Sequence, residues 1–502
     1  MKNTISIVAV AVLSTLSTGC AILQNPGPQA LTKEEISGRI KQDAVAVQLG
    51  VQPVGAVLTL DEAIARAVKF NLDRRARLME EALAAQQFEA GKYDILPRLV
   101  ASAGYTTRDS DRLSIAADLN GRPTGSSPTL SQERSRGFGG LDFTWSLIDF
   151  GLARYNTDQA ANRVLAAAER RRKATHQLVQ DVRVAFWRAV SAQLLQSQVR
   201  DNMTLAEEAI VDARKAQTEL VRSPLDSLRY QRQLTENMRL LEAIDQELAT
   251  ACFELAGLIN APMSMSTRLA VDQELPTGEP LKISAEQMED IALSQNAELR
   301  EQTYLRRIAA TEARKVIAKA FPNISLNLGA RYDSDRYLVN NNWREAGLQA
   351  SYNLMNLLSL PAQSKAADAG VALADQRRLA VHVATLTQVN IARQQLASSR
   401  KLFERADDLW KLDDQITRQM ASREQAQAGS KLERVAAQTS AIVSLLRRYQ
   451  ALAQWHASQS RLYATLGLDP LHRSTDDLTL EQITKEVGLQ FTRELDPKAA
   501  RK

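Results

Sequence analysis

The sequence predicts a mainly α-helical chain that carries a small membrane β-sheet, organised as two copies of one plan. Three observations predict it. Two segments 225 positions apart share a pattern, with Asn71 against Asn296, Arg75 against Arg300, Pro97 against Pro322 and Gly104 against Gly329. After each Pro, residues alternate at once between apolar and polar, the period of a strand with two different faces. After the strands come Ala-, Leu-, Gln-, Glu- and Arg-rich stretches whose apolar residues recur in heptads, the signature of left-handed coiled-coil packing.

The composition agrees. At 502 residues and 44% hydrophobic content the chain can bury a core, but only 5% of residues are aromatic. Scarce aromatics with abundant Ala suit helices packed close in long bundles better than an enzyme with a deep apolar pocket. The net charge of +5 is small for this length, and acids and bases are interspersed, so no basic stripe argues for nucleic acid. His176, His382, His456 and His472 are too dispersed for a motif-spaced metal site, and no Gly-rich phosphate loop ends in Gly-Lys-Ser/Thr. No catalytic residue, metal or cofactor is expected.

The elements follow in order. Residues 1–19 read as a secretory signal peptide, with Lys2 ahead of an apolar run from Ile5 to Leu16 that is too short for a permanent span. "LSTGC" resembles a bacterial lipobox, with Ser17 where Leu is usual; Cys20 becomes the new N-terminus and the lipid attachment, palmitate included. An ordinary signal peptide that happens to contain a cysteine is the alternative. Cys252 falls at a core position of a helical seam and reads as an inert thiol. Residues 20–57 form a lipid-anchored segment, expected to wrap the outside of the helical wall.

The first repeat spans 58–262: a helical segment, strands near 98–107 and 138–148, and a long hairpin with its tip near 222–226. Leu141, Phe143, Trp145 and Leu147 share one face of its second strand, against Asp142, Thr144 and Ser146. The outgoing helix has its seam at Leu178, Val182, Ala185, Ala189, Ala192, Val199, Met203, Ala206, Ile210 and Ala213; the return helix at Leu234, Met238, Leu241, Leu248, Cys252, Leu255 and Ile259. The second repeat spans 263–470, with strands near 323–332 and 345–355 and a tip near 429–433. Its outward residues include Leu348, Tyr352 and Leu354, and its seam through Val389, Ala392, Leu396 and Phe403 is looser. "SPLD" at 223–226 and "SKLE" at 430–433 both place Ser at an N-cap and an acid three residues on, a capping box that restarts each return helix. Residues 471–502 form a tail, expected also to wrap the wall.

A strand of about ten residues, apolar on one face and polar on the other, has the length that crosses an outer membrane. Inner faces are expected to be free of charge apart from Asp142 and Arg331. Open edges in hydrocarbon leave backbone groups unpaired at several kcal/mol each, so four strands must close with those of other copies. Two copies give eight strands, filled by side chains; three give twelve and leave a passage.

With the twofold repeat, the Pro at each helix-to-strand junction and "WSLIDFG" at the exit of the second strand, residues 58–470 resemble the TolC family of outer-membrane efflux proteins. The second exit, "YNLMNLLSLP", departs from that pattern at Asn356, Leu357 and Leu358. The resemblance implies a homotrimer with a 12-strand β-barrel in the outer membrane of a Gram-negative bacterium and a 12-helix tunnel reaching into the periplasm. It implies a passive channel of a tripartite efflux or type I secretion system, docked on a periplasmic adaptor protein and, through it, an inner-membrane transporter. Matching positions make Asp226 and Glu433 candidates for a periplasmic gate, although both also complete capping boxes; a further acid one turn on is replaced by Arg229 and Ala436. Arg222, Ser223, Gly429 and Ser430 at the tips are candidates for adaptor contact. The competing reading is a lipid-anchored periplasmic or surface coiled-coil protein with no conduit.

Overall fold

The computed structural model describes residues 30–492 apart from 116, 126, 219–223, 264–266, 271–282, 427–430 and 470–477. The chain divides after Pro53 into two units. In the first, helix α1 (Lys33–Gln48) begins at a reciprocal cap, in which the Thr32 hydroxyl accepts from the Glu35 N–H and the Glu35 carboxylate accepts from the Thr32 N–H.

The second unit opens with strand β1 (Val57–Leu58), paired in parallel with β6 (Arg268–Leu269). Helix α2 (Leu60–Phe70) and helix α3 (Leu72–Lys92) lead to β2 (Arg98–Thr107). A short ribbon of β3 (Arg112–Ser114) and β4 (Thr129–Gln132) precedes β5 (Ser135–Ser146). Then come α4 (Leu147–Thr218) and its return helix α5 (Pro224–Leu258). The plan repeats as α6 (Ala285–Gln295), α7 (Ala297–Ala318), β7 (Asn323–Asp333), β8 (Asn342–Ser351), α8 (Leu354–Gln425) and α9 (Lys431–Leu466), with α10 (Leu480–Thr492) last. Helices α4 and α8 each have 72 residues, about 108 Å at 1.5 Å per residue.

The four long strands form one antiparallel sheet in the order β2-β5-β7-β8. The helices that join them keep that order, α3 against α4, α4 against α7 and α7 against α8. Farther along, α5 packs on α4, and α9 packs on both α4 and α8. The seam of α4 is buried at Leu178, Val182, Ala185, Ala189, Ala192, Val199, Ala206 and Ala213, facing Leu234, Leu241, Leu248 and Leu255 of α5. Val435, Ile442 and Leu446 of α9 complete that core. The looser seam of α8 buries Val389, Ala392 and Phe403.

The matched pair Asn71 and Asn296 performs the same task in both copies. Each ends one helix and caps the next: the Asn71 side-chain oxygen accepts from the Arg74 N–H, and that of Asn296 from the Glu298 and Leu299 N–H groups. Each also turns its amide outward to a return helix, Asn71 donating to the Leu258 carbonyl at 3.1 Å and Asn296 to the Thr465 carbonyl at 2.9 Å. One buried side chain therefore satisfies the start of one helix and the end of another.

Three expectations are corrected. Leu147 is not a strand residue: β5 stops at Ser146, whose hydroxyl accepts from the Asp149 N–H at 3.1 Å and so starts α4. Tyr352 and Leu354 likewise lie beyond β8, because Asn353 caps α8 by accepting from the Met355 N–H. The polar face carries Arg98, Arg136, Asp333 and Glu345 besides Asp142 and Arg331: β5 begins three residues earlier than expected and takes in Arg136, β7 runs on to Asp333, and the register turns Arg98 and Glu345, at the first positions of the two expected outer strands, onto this face. Helix α10 packs on α2 and buries Leu480, Ile483 and Val487, with Lys69 of α2 donating to the Leu478 carbonyl at 2.6 Å.

Candidate functional site

The sheet sorts its side chains by register, with Arg344 of β8, in the row of Leu141 and Ala330, the one charged side chain among the described residues on the apolar face. Leu99, Phe143, Leu328 and Ala346 lie in one cross-strand row, and Trp145, Leu326 and Leu348 in another on the same face. Leu99, Leu141, Trp145, Leu328 and Leu348 are exposed on that face, which no other described element of the second unit covers. At all four places where sheet meets helix, further large apolar residues stand exposed: Tyr93 and Leu96, Leu147 and Phe150, Ile317 and Phe321, and Leu354, Met355 and Leu358. A band of apolar side chains edged by a girdle containing Tyr and Phe is the profile of a strand layer in a bilayer with its interface below. Among the described residues no helix is long and apolar enough to cross a membrane.

The opposite face is polar. Val100, Asp142, Gly329 and Glu345 form one row, and Ser102, Gly140, Arg331 and Trp343 the next. Arg331 reaches from its own row to both acids, with Nε on Glu345 at 2.9 Å and Nη2 on Asp142 at 2.7 Å. Closer to the loops, Arg136 pairs with Asp333 at 2.5 Å. Phe138 sits on this polar face and its ring lies across Gly104, where a Cβ would fall 2.8 Å from Cε1. That contact explains one of the glycines in the repeat pattern. Ser334 and Asp335, beyond β7, bond to the Gly137 and Glu133 N–H groups, tying the two strand-connecting loops together.

At the far ends of the long helices, Asp226 occupies the first turn of α5 and Glu433 the first turn of α9. Arg229, one turn on, lies 3.8 Å from the Asp226 carboxylate. Arg222, Ser223, Gly429 and Ser430 fall outside the described residues, and so does Cys20. A link the sequence did not reveal lies close by: Lys431 bonds Asp212 of α4 at 2.7 Å and holds that carboxyl below the usual carboxylate range.

Partway along the wall, α4 is pinned to the second copy. Arg172 donates to Asp469 at 2.5 Å, to Glu169 at 3.1 Å, to the Gln295 carbonyl at 3.0 Å and to the Gly467 carbonyl, so one guanidinium serves the ends of both α6 and α9. His176 adds a contact to Asp469 at 3.2 Å, and Arg300 pairs with Glu169 at 3.0 Å. Burial pushes the Asp469 carboxyl up, but the bonds from His176 and Arg172 outweigh it and hold its pKa below the usual value. Gly467 has φ of +76° in this joint, and a Cβ there would collide with the Gln295 carbonyl and lie 2.8 Å from the Asn296 nitrogen.

Deeper along α4, the His456 ring stacks on Trp187 with centroids 5.2 Å apart. Neither ring nitrogen has a hydrogen-bond partner among the described residues. Burial, with the Arg183 charge nearby, pulls the imidazole pKa down to about 3, so it is neutral. Burial likewise pushes the Cys252 thiol up, away from reactivity. The described residues hold no group of three His, Cys, Asp or Glu side chains arranged for a metal ion.

No protein-family model matches the sequence, and no curated protein matches it. Solved structures do match. The outer-membrane channel OprN superposes with a TM-score of 0.61 at 17% identity, over 81% of this chain and 89% of that one. The Campylobacter jejuni CmeC outer-membrane channel gives 0.63 at 12% identity, over 86% and 90%. The open state of the Neisseria gonorrhoeae MtrE outer-membrane channel gives 0.60 at 17% identity, over 82% and 89%. At such identities the likeness is one of fold.

Proposed function

We propose that this chain, which has the TolC-like fold of these outer-membrane channels, is itself a passive outer-membrane channel without enzymatic activity. It would be one of three copies that close a 12-strand barrel above a 12-helix tunnel. One observation carries the reading. The sheet has an uncovered apolar face and ends on both sides in strands, β2 and β8, whose outer edges have no strand partner among the described residues, while the helix layer ends on the same two sides in α3 and α8. A sheet with an apolar face suits lipid, and lipid does not tolerate open edges. Pairing β2 of one copy with β8 of the next, and α3 with α8 beside them, satisfies strands and helices in a single rotation that closes on itself.

In this reading Cys20 carries the acyl anchor, and the hairpin tips face the periplasm. Arg222, Ser223, Gly429 and Ser430 meet a periplasmic adaptor protein, which links the tunnel to an inner-membrane transporter that supplies the energy. Asp226 and Glu433 stand at the periplasmic mouth, and three copies bring six carboxylates around it, a ring that draws cations. Cross-links from the tip positions to a co-expressed adaptor test the docking; labelling confined to the opposite end of the hairpins would refute it.

The deciding experiment uses full-length protein carrying Cys20→Ser, which removes the acyl anchor and leaves the sheet intact. The expected result is a trimer that still needs detergent for extraction and conducts ions in planar bilayers. A soluble monomer in plain buffer would establish the anchored coiled-coil reading instead. In the same recordings, Asp226→Ala with Glu433→Ala is expected to raise conductance and weaken cation preference; unchanged currents would make both residues helix caps alone.

A further inference from the structure

The polar face of the sheet holds a charged layer that the fold does not require. Asp142 of β5 and Glu345 of β8 lie in one row on either side of Gly329 of β7, and Arg331, one row toward the loops, bonds both. Its fork is fully used: Nη1 and Nη2 meet the two Asp142 oxygens at 2.9 and 2.7 Å, and Nε meets Glu345 at 2.9 Å. The layer lies flat on glycine. A Cβ at Gly329 would stand 2.9 Å from Glu345 Cγ, and one at Gly140 would stand 2.9 Å from Arg331 Nη1. The charges therefore lie close against the sheet.

We infer that this layer, and not only the helical mouth, sets the charge preference of the passage, favouring hydrated cations over anions. The inference rests on the three-copy channel reading. One Arg against two acids leaves one negative charge per copy, so three copies put a ring of three net negative charges at one level of the barrel. Arg136 and Asp333 cancel one another in the next layer outward. Arg98 lies on the same face at the helical end of β2, one polar-face row from the acids and close enough to offset part of the ring's charge, so the negative field is centred on the acid level and its loop side. The candidate carboxylates at the hairpin tips are a 72-residue helix away. That is about 108 Å, far beyond a screening length of about 10 Å at 0.1 M salt. The two rings act independently, and each is separately testable.

The three layer residues are 33–53% exposed, so water and salt reach them and their field acts on passing ions. Releasing both acids by removing Arg331 doubles the net negative charge of the ring from three to six. Neutralising both acids while keeping Arg331 reverses it to three positive. Neutralising Glu345 alone keeps the bidentate Arg331–Asp142 pair and brings the ring to zero.

The test is the potassium-to-chloride permeability ratio of purified trimer in planar bilayers, read from zero-current potentials across a tenfold KCl gradient at low salt. Arg331→Gln is expected to raise the ratio roughly two-fold or more. Glu345→Gln should lower it, and Asp142→Asn with Glu345→Gln should lower it further, toward anion preference. A conducting wild type whose ratio is the same in Glu345→Gln and in whichever other variants assemble overturns the layer's role and leaves the channel reading standing. A wild-type protein that forms no conducting species overturns the channel reading itself.

Discussion

Replacing Gly467 with alanine is expected to cost on the order of 3 kcal/mol or more and to lower the yield of assembled protein sharply. Two penalties add. An L side chain at φ +76° gives up roughly 1–2 kcal/mol of backbone energy. The new Cβ also has no room, because the Gln295 carbonyl occupies its place, and overpacking of this kind costs roughly 1–3 kcal/mol. Neither strand of the joint can yield freely, since Arg172 bonds the carbonyls of both Gln295 and Gly467. Thermal unfolding of detergent-solubilised protein is the measurement. Gly370→Ala is the control, because that glycine sits inside α8 with nothing within 4 Å of its would-be Cβ; there alanine should be neutral or stabilise by up to about 1 kcal/mol. Equal loss at both positions would show that the joint is not specially constrained.

Acid is expected to weaken the helical wall through His456. The imidazole pKa is about 3 in the folded chain and about 6.5 once unfolded. Between those values the unfolded chain takes up a proton that the folded chain refuses, so stability is complete above pH 6.5 and declines as the pH falls toward 3. At pH 4.5, two pH units into that window, the loss is on the order of 3 kcal/mol. His456→Phe keeps a flat ring against Trp187 and has nothing to protonate. Its unfolding midpoint should therefore drop less than the wild type's between pH 7 and pH 4.5. Carboxylates such as Asp469 weaken in acid in both proteins, so the difference between the two drops isolates the histidine. Identical drops would mean that His456 is protonated without cost in the folded chain.

How far the sequence carried depended on how many residues spoke together. Heptad seams run through many positions, and a sustained period survives a local exception such as Asp245, which falls at the seam position between Leu241 and Leu248; the helices, their pairing and the twofold repeat were legible for that reason. The strands were legible because alternation and Pro97 or Pro322 agreed. Their ends were not. A single hydroxyl at Ser146 and a single amide at Asn353 decide where helix begins, and alternation at Leu147 and Leu354 continues past that point by coincidence of period. The β3–β4 ribbon, three and four residues long, is too short for any periodic signal. Charged partners were hardest to see. Asp142 is far in the chain from Arg331 and Glu345, and only the register of three strands brings them into one layer. The same holds for Arg172 and Asp469, and for Trp187 and His456, whose pairing depends on how α4 meets α9. Asn71 and Asn296 lie between the extremes: the repeat singled them out, but the carbonyls they hold did not show.

The two bare margins of the sheet also bear on heredity. If three copies close the ring as proposed, a chain whose β8 can no longer pair is not simply lost, because its intact β2 still binds a healthy neighbour and spoils the ring that neighbour joins. If damaged and sound chains are made equally and mix at random in threes, only about one ring in eight is wholly sound. A fault confined to one margin should therefore be dominant in a cell carrying both alleles, whereas a fault that prevents folding altogether should be recessive.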